Sequence, residues 1–222
     1  MTLDLYLFRH AETEYNAHNN LIGGQSNFLR LSERGENQAK LLGVRIVREG
    51  IKFDEIYSST AERTQQPAKI VCTTIRFPIA GLITTPELLE LSQGDWEGKE
   101  RCEIYTSEVL AEMKAKHCNF RAPNGESQRD VEERVYSWVE KTLIDRRKDL
   151  TVGVFGHGVA TKCLLRRIMN SDPELTYRIC INNCSISRVK YSHSGQHEGW
   201  SLIKINDDAH LAEAGFNPAT FV

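Results

Sequence analysis

The stretch Leu5-Tyr6-Leu7-Phe8 runs directly into Arg9-His10-Ala11-Glu12-Thr13. Four consecutive apolar, β-prone residues read as a strand buried on both faces, the pattern of a parallel sheet in an α/β fold. Such a strand delivers Arg9 and His10 to its carboxyl edge, and ligands of open α/β sheets bind in the crevice beyond those edges. A histidine that attacks phosphorus needs an adjacent cation to hold the phosphate, and Arg9 would supply one. Taken alone the pair has a plainer reading, a surface cation beside a histidine that closes a strand. The rest of the chain decides between the two.

The remaining segments alternate strand and helix signals. Asn16 to Asn27 reads as an Asn- and Gly-rich loop. Ser32 is then a helix N-cap, with Ala39, Leu42, Ile46 and Val47 on one face and Gly50 closing the helix. Phe53 to Tyr57 reads as a second strand ending at Ser58-Ser59. Thr60 is the expected cap of a further helix to about Cys72, in which Pro67 marks an irregularity. Leu82-Ile83-Thr84 suggests a short strand, Lys99 to His117 and Ser127 to Arg147 two amphipathic helices, and Ala122 to Gly125 a turn between them. Leu150 to Phe155 is a buried strand, Gly158 to Met169 a helix, and Pro173 opens a short helix. Ser185–Tyr191 and Trp200–Ile205 form a late strand pair. The expectation is a three-layer α/β sandwich, a mostly parallel central sheet with helices on both faces.

Composition narrows the function classes. With 222 residues, 40% hydrophobic and 26% charged, the chain suits one globular domain. A formal net charge of -2 provides no basic field for nucleic acid or anionic membrane, so an anionic ligand must be held by a local cluster of cations. No segment reads as a signal peptide or a membrane span. The six cysteines show neither CxxC pairs nor zinc spacing and read as reduced thiols of a cytoplasmic protein. Nothing in the sequence argues against a homodimer.

Three strand ends carry the chemistry. The first offers Arg9 and His10. The second is followed by Arg63 in the first turn of a helix, where a cation opposes the helix dipole unless an anion sits at the terminus. The third offers Gly156-His157-Gly158, an imidazole between glycines that let main chain approach a ligand. Two imidazoles and two guanidinium groups make an anion pocket in an otherwise acidic chain. Phosphoryl transfer to His10 also needs one neutral ring nitrogen, cations on the equatorial oxygens (Arg9, Arg63 and a protonated His157), and a carboxylic acid for the leaving oxygen. Glu90 is the first candidate for that acid, with Glu87, Asp95 and Glu97 as competitors that residue reasoning does not rank. No metal-ligand pattern accompanies these residues, so no cofactor or metal is expected.

Arg9-His10-Ala11-Glu12-Thr13 with Asn16, Gly23-Gly24, Leu31-Ser32-Glu33-Arg34-Gly35, Arg63, Glu90 in L-x-E-x-x-x-G-x-W-E-G, Gly125-Glu126-Ser127 and Gly156-His157-Gly158 together resemble the histidine phosphatase superfamily, which includes cofactor-dependent phosphoglycerate mutases. The resemblance runs from residue 3 to about 211. It implies a phosphoglycerate mutase-like fold with a small helical cap inserted at about 94–124. It implies His10 as the phosphorylated nucleophile and Glu90 as general acid, then base. Arg9, Asn16, Arg63 and His157 would hold phosphate, with Gly23 and Gly158 lining the substrate site. Gln93 stands where the mutases carry a Tyr. Lys99, Arg101, Lys114, Lys116 and Arg121 include no tandem arginine pair to grip a second phosphate. The resemblance is therefore to the phosphatase branch: metal-independent hydrolysis of a small phosphorylated metabolite. The rivals are a phosphoglycerate mutase, a non-catalytic phospholigand-binding domain, and a metal site using His10 and His157. Trp96 and Trp138 read as packing residues, and His18, His117, His193, His197 and His210 as surface or cap residues.

Overall fold

A computed structural model describes residues 1–18, 20–193 and 198–216. His197 lies outside this range. Strand β1 (Thr2–Arg9) shows why an uninterrupted apolar run was needed: its side chains alternate between two separate cores. Leu3, Leu5 and Leu7 pack with Val152 and Val154 against helices α6 (Gln128–Val139) and α7 (Gly158–Ile168). Tyr6 and Phe8 turn the other way, toward Leu42 and Ile46 of α2 (Glu33–Arg48) and Ala68 and Val71 of α3 (Glu62–Ile75). Each such side chain, fully buried, contributes about 1.5–3 kcal/mol relative to exposure. The result is the expected three-layer α/β sandwich.

Six strands lie in the order β3-β2-β4-β1-β5-β6 among the described residues. β2 (Glu55–Ser59), β3 (Leu82–Thr85), β4 (Leu150–Gly156) and β1 run parallel, while β5 (Ile186–Ser192) is antiparallel to β1 and to the edge strand β6 (Gly199–Asp207). Insertion of β4 between β1 and β2 aligns Arg9 with Gly156 and Phe155 with Ser58. The polar ends of β1, β4 and β2 therefore emerge side by side on one edge.

Several local expectations shift. The loop after β1 holds a short helix, α1 (Glu14–His18). Val47 is 56% exposed and does not join the buried face of α2. The second strand begins two residues later than expected. α3 starts from Ala61 rather than Thr60, with no side-chain cap; the Glu62 N–H donates instead to the Asn27 carbonyl at 2.9 Å. Pro67 falls within α3 without ending it. The helix expected over 99–117 is two helices, α4 (Arg101–Ile104) and α5 (Ser107–Lys116), because Thr106 caps the second. α6 is followed by a π-helical turn at Glu140–Ile144, not a continued α-helix. Trp96 joins Ile22 and Ala122 in a third small core, with Ile104, Val109 and Phe120 against it, and Trp138 packs on Tyr57. None of the six cysteines is bonded to another. No helix among the described residues is long and apolar enough to cross a membrane.

Candidate active site

His10 is held by main chain on both sides. Its N–H donates to the Gly156 carbonyl (2.9 Å), and its own carbonyl accepts from Cys184 N (3.1 Å) and Asn183 Nδ2 (3.0 Å). Its ring nitrogen Nδ1 lies 2.8 Å from the Ala11 carbonyl oxygen. A carbonyl only accepts, so Nδ1 carries the hydrogen and Nε2 presents a lone pair. Burial, reinforced by Arg63 and Arg9, holds the imidazole well below the usual histidine range, so the ring is neutral. That is the protonation state a nitrogen nucleophile requires.

The loop beyond β1 is braced from α2. Ser32 Oγ donates to Glu12 Oε1 (2.9 Å) and accepts from Gly35 N (3.1 Å), so it is both helix cap and tether. Gly35 is obligatory there, since a Cβ would lie 2.1 Å from the Glu12 carbonyl oxygen.

A cavity of about 260 Å³ opens over His10. Its wall includes Arg9, Asn16, Gly23, Arg63 and Glu90, together with Arg101, Tyr105 and Tyr177. Arg63 is buried, and its guanidinium donates to the carbonyls of Ser26 (2.8 Å) and Gly24 (2.9 Å). Arg9 donates to the Ile181 carbonyl at 2.6 Å. Burial depresses both arginines, Arg9 to about 10, with Glu90 opposing the shift, and both remain charged at neutral pH. Asn16 Oδ1 accepts from Thr13 N (3.2 Å) and Asn183 Nδ2 (3.2 Å), so the NH2 end of its amide is the one with donors to offer.

His157 and Gly158 stand one layer behind the open wall. The His157 ring centroid is 5.4 Å from that of His10, and its Nε2 lies 2.7 Å from Ser59 Oγ. Burial and the charges of Arg63, His10 and Arg9 hold the His157 imidazole well below the usual histidine range, so it is neutral in the free protein. Gly158 makes room for Arg9: a Cβ there would press to 3.3 Å from Arg9 Nε. No protein atom lies within 4 Å of a Cβ built at Gly156 or Gly23, so packing within the chain does not demand glycine at either position.

Glu90 is the one carboxylate in the cavity wall among the described residues. Its competitors are engaged elsewhere. Glu97 Oε1 accepts from the main-chain N–H of Gln25 (2.8 Å) and Gln93 (2.9 Å), Asp95 accepts from Asn124, and Glu87 accepts from Thr85. Glu90 also caps α7 from outside, accepting from Val159 N (3.0 Å) and Ala160 N (3.0 Å), and it accepts from Leu91 N (2.9 Å). α7 has no side-chain cap of its own. This double duty had no signal in the sequence.

Three residues escaped the reading of the sequence: Ser59, Asn183 and Arg101. The Ser58-Ser59 strand end was visible but unassigned, while Asn183 carries no motif. Arg101 was counted only as one cation among five, yet it alone of those five lines the cavity, with its buried Nε unpartnered and its guanidinium over the Tyr105 ring.

Residues 5–208 match the family model of the histidine phosphatase superfamily, branch 1. A relative in Yersinia pestis named probable phosphoglycerate mutase GpmB is 33% identical over 216 residues, spanning 94% of this chain and 95% of its own. Bacillus stearothermophilus YhfR has a similar structure, with a TM-score of 0.80 at 26% identity, covering 94% of this chain and 99% of its own. Phosphoserine phosphatase from Entamoeba histolytica, solved with 3-phosphoglyceric acid, shares the fold with a TM-score of 0.76 at 22% identity, covering 94% and 99%. The chain belongs to the histidine phosphatase superfamily.

Proposed function

We propose that this member of the histidine phosphatase superfamily hydrolyses a small phosphorylated metabolite through a phosphohistidine on His10. The observation that carries the reading is a neutral His10 lining one cavity with Arg9, Arg63 and the Glu90 carboxylate. In the first step His10 Nε2 attacks phosphorus, the bond to the alcohol oxygen breaks, and that oxygen takes a proton from the Glu90 carboxylic acid. Arg9, Arg63 and the Asn16 amide hold the equatorial oxygens as charge develops. In the second step water attacks phospho-His10, Glu90 takes its proton, and phosphate departs. Both Glu90 oxygens accept from main chain in the free protein, so proton delivery requires one oxygen to be released when substrate enters.

Mutase chemistry needs a second phosphate held while the first is transferred. Of the cations between residues 94 and 124, the stretch read as the cap, Arg101 alone faces this cavity, which favours water as the final acceptor. The name of the Yersinia relative keeps the phosphoglycerate mutase as the second reading. Rapid quench with a 32P-labelled monoester separates the readings. Label on His10, discharged to free phosphate by water at the rate of turnover, supports hydrolysis. Discharge only onto phosphoglycerate supports the mutase, and absence of label from His10 rejects both.

A further inference from the structure

Beside the phosphate cavity lies a second one of about 240 Å³, and the two share Leu91, Gln93 and Tyr177 as a common wall. The shared residues make the two cavities immediate neighbours. The second cavity is built from Met113, Phe120, Ala122, Pro173 and the flank of Tyr177. The charged groups at its margin are largely matched: Glu126 pairs with Arg134 at 2.9 Å, and Glu174 lies 3.5 Å from His117 Nε2. Lys114 is a further charged group at the margin, exposed to solvent, and one buried polar atom is left over. Gln128, 8% exposed, lines this cavity, and its buried Oε1 has no hydrogen-bond partner. A buried acceptor without a partner is costly, and a ligand that brings a donor removes the cost.

Resting on the hydrolase reading, we infer that this second cavity receives the alcohol part of the substrate, and that the alcohol has an uncharged, apolar body carrying a hydroxyl or N–H donor toward Gln128. A small polyol would leave the apolar wall uncovered, and a short carboxylate would bring no donor to Gln128 Oε1. An apolar body removes the Met113, Phe120 and Ala122 surfaces from water at the moment of binding, a gain that raises kcat/KM.

The test uses alkyl esters, so that leaving-group acidity does not mask the effect. The expected result is that 2-phenylethyl phosphate is turned over with kcat/KM at least 10-fold above ethyl phosphate. Met113→Glu should erase that preference, read as the ratio of the two kcat/KM values, and Met113→Leu should keep it. Titration calorimetry with the non-hydrolysable 2-phenylethyl- and ethylphosphonates reads the cavity independently of chemistry. Equal kcat/KM and equal phosphonate affinity for the two bodies overturn the inference, as does a preference that survives in folded Met113→Glu. A phosphonate preference of 10-fold without any turnover sustains the cavity assignment and rejects the hydrolase instead.

Discussion

Ser59 Oγ lies 2.7 Å from His157 Nε2 and 2.8 Å from Thr64 Oγ1. Thr64 Oγ1 is itself 2.8 Å from the Ala61 carbonyl and 3.1 Å from that of Ser59, which draw its only hydrogen. Ser59 then donates to Thr64 and accepts from His157, placing the imidazole hydrogen on Nε2 and a lone pair on Nδ1, which is buried without a partner. On the proposed reaction, a phosphoryl oxygen that reaches that lone pair would favour a proton on Nδ1, and His157 would take up its charge with the substrate rather than before it.

Ser59→Ala should therefore lower kcat/KM by about 10-fold and move its pH profile, while leaving a buried N–H unsatisfied at a cost of about 1–3 kcal/mol in stability. Ser59→Thr should recover most of both. Steady-state kinetics against pH, paired with urea denaturation, measures the two effects. An unchanged pH profile would reduce Ser59 to a packing residue.

The two duties of Glu90 come apart by substitution. Glu90→Gln should slow phosphorylation of His10 by roughly 100-fold with an alkyl phosphate and much less with a nitrophenyl phosphate, whose leaving oxygen needs no proton. Hydrolysis of phospho-His10 should slow with both substrates. Glu90→Ala should in addition lose about 1–2 kcal/mol of stability, because the N–H groups of Val159 and Ala160 lose their acceptor. Equal slowing with alkyl and aryl esters in rapid quench would leave Glu90 as a cap alone.

Acid should destabilise the fold through its buried imidazoles. His210 lies against Arg45, with Nδ1 at 3.4 Å from the guanidinium, and burial together with that charge pushes it down to about 4. His10 and His157 are shifted in the same direction. The unfolded chain binds these protons first, so stability is full above about pH 6.5 and falls as the pH drops toward 4. Thermal unfolding between pH 7 and 4 should show this slope, and His210→Leu should flatten it. A slope unchanged by that substitution would place the acid sensitivity elsewhere.

Turnover should persist in excess EDTA, because Arg9 and Arg63 carry the charge that a metal carries in other phosphoryl-transfer sites. Arg63→Met should lower kcat/KM by roughly 100-fold or more, without rescue by divalent ions. Loss of activity with the chelator, restored by a divalent ion, would contradict this account.

The strand Leu5–Phe8, the residues at its end and those after two later strands were readable from the chain alone. A buried parallel strand needs an unbroken apolar run, and the residue type that follows such a run announces chemistry. The helix cap at Ser32 was local in the same sense, since cap and helix are neighbours in sequence. The choice of Glu90 over Glu87, Asp95 and Glu97 was not local. It depends on which carboxylate the irregular loop turns into the cavity and which ones its own main chain consumes. Asn183, Ser59 and the neutrality of both histidines also came only with tertiary structure. Inserting β4 between β1 and β2 joins residues some 150 apart, and the resulting burial and charge proximity set each imidazole's proton. Sequence spacing determines which groups are available, but hydrogen-bond partners and desolvation act over a few ångströms and exist only once distant strands have been brought together.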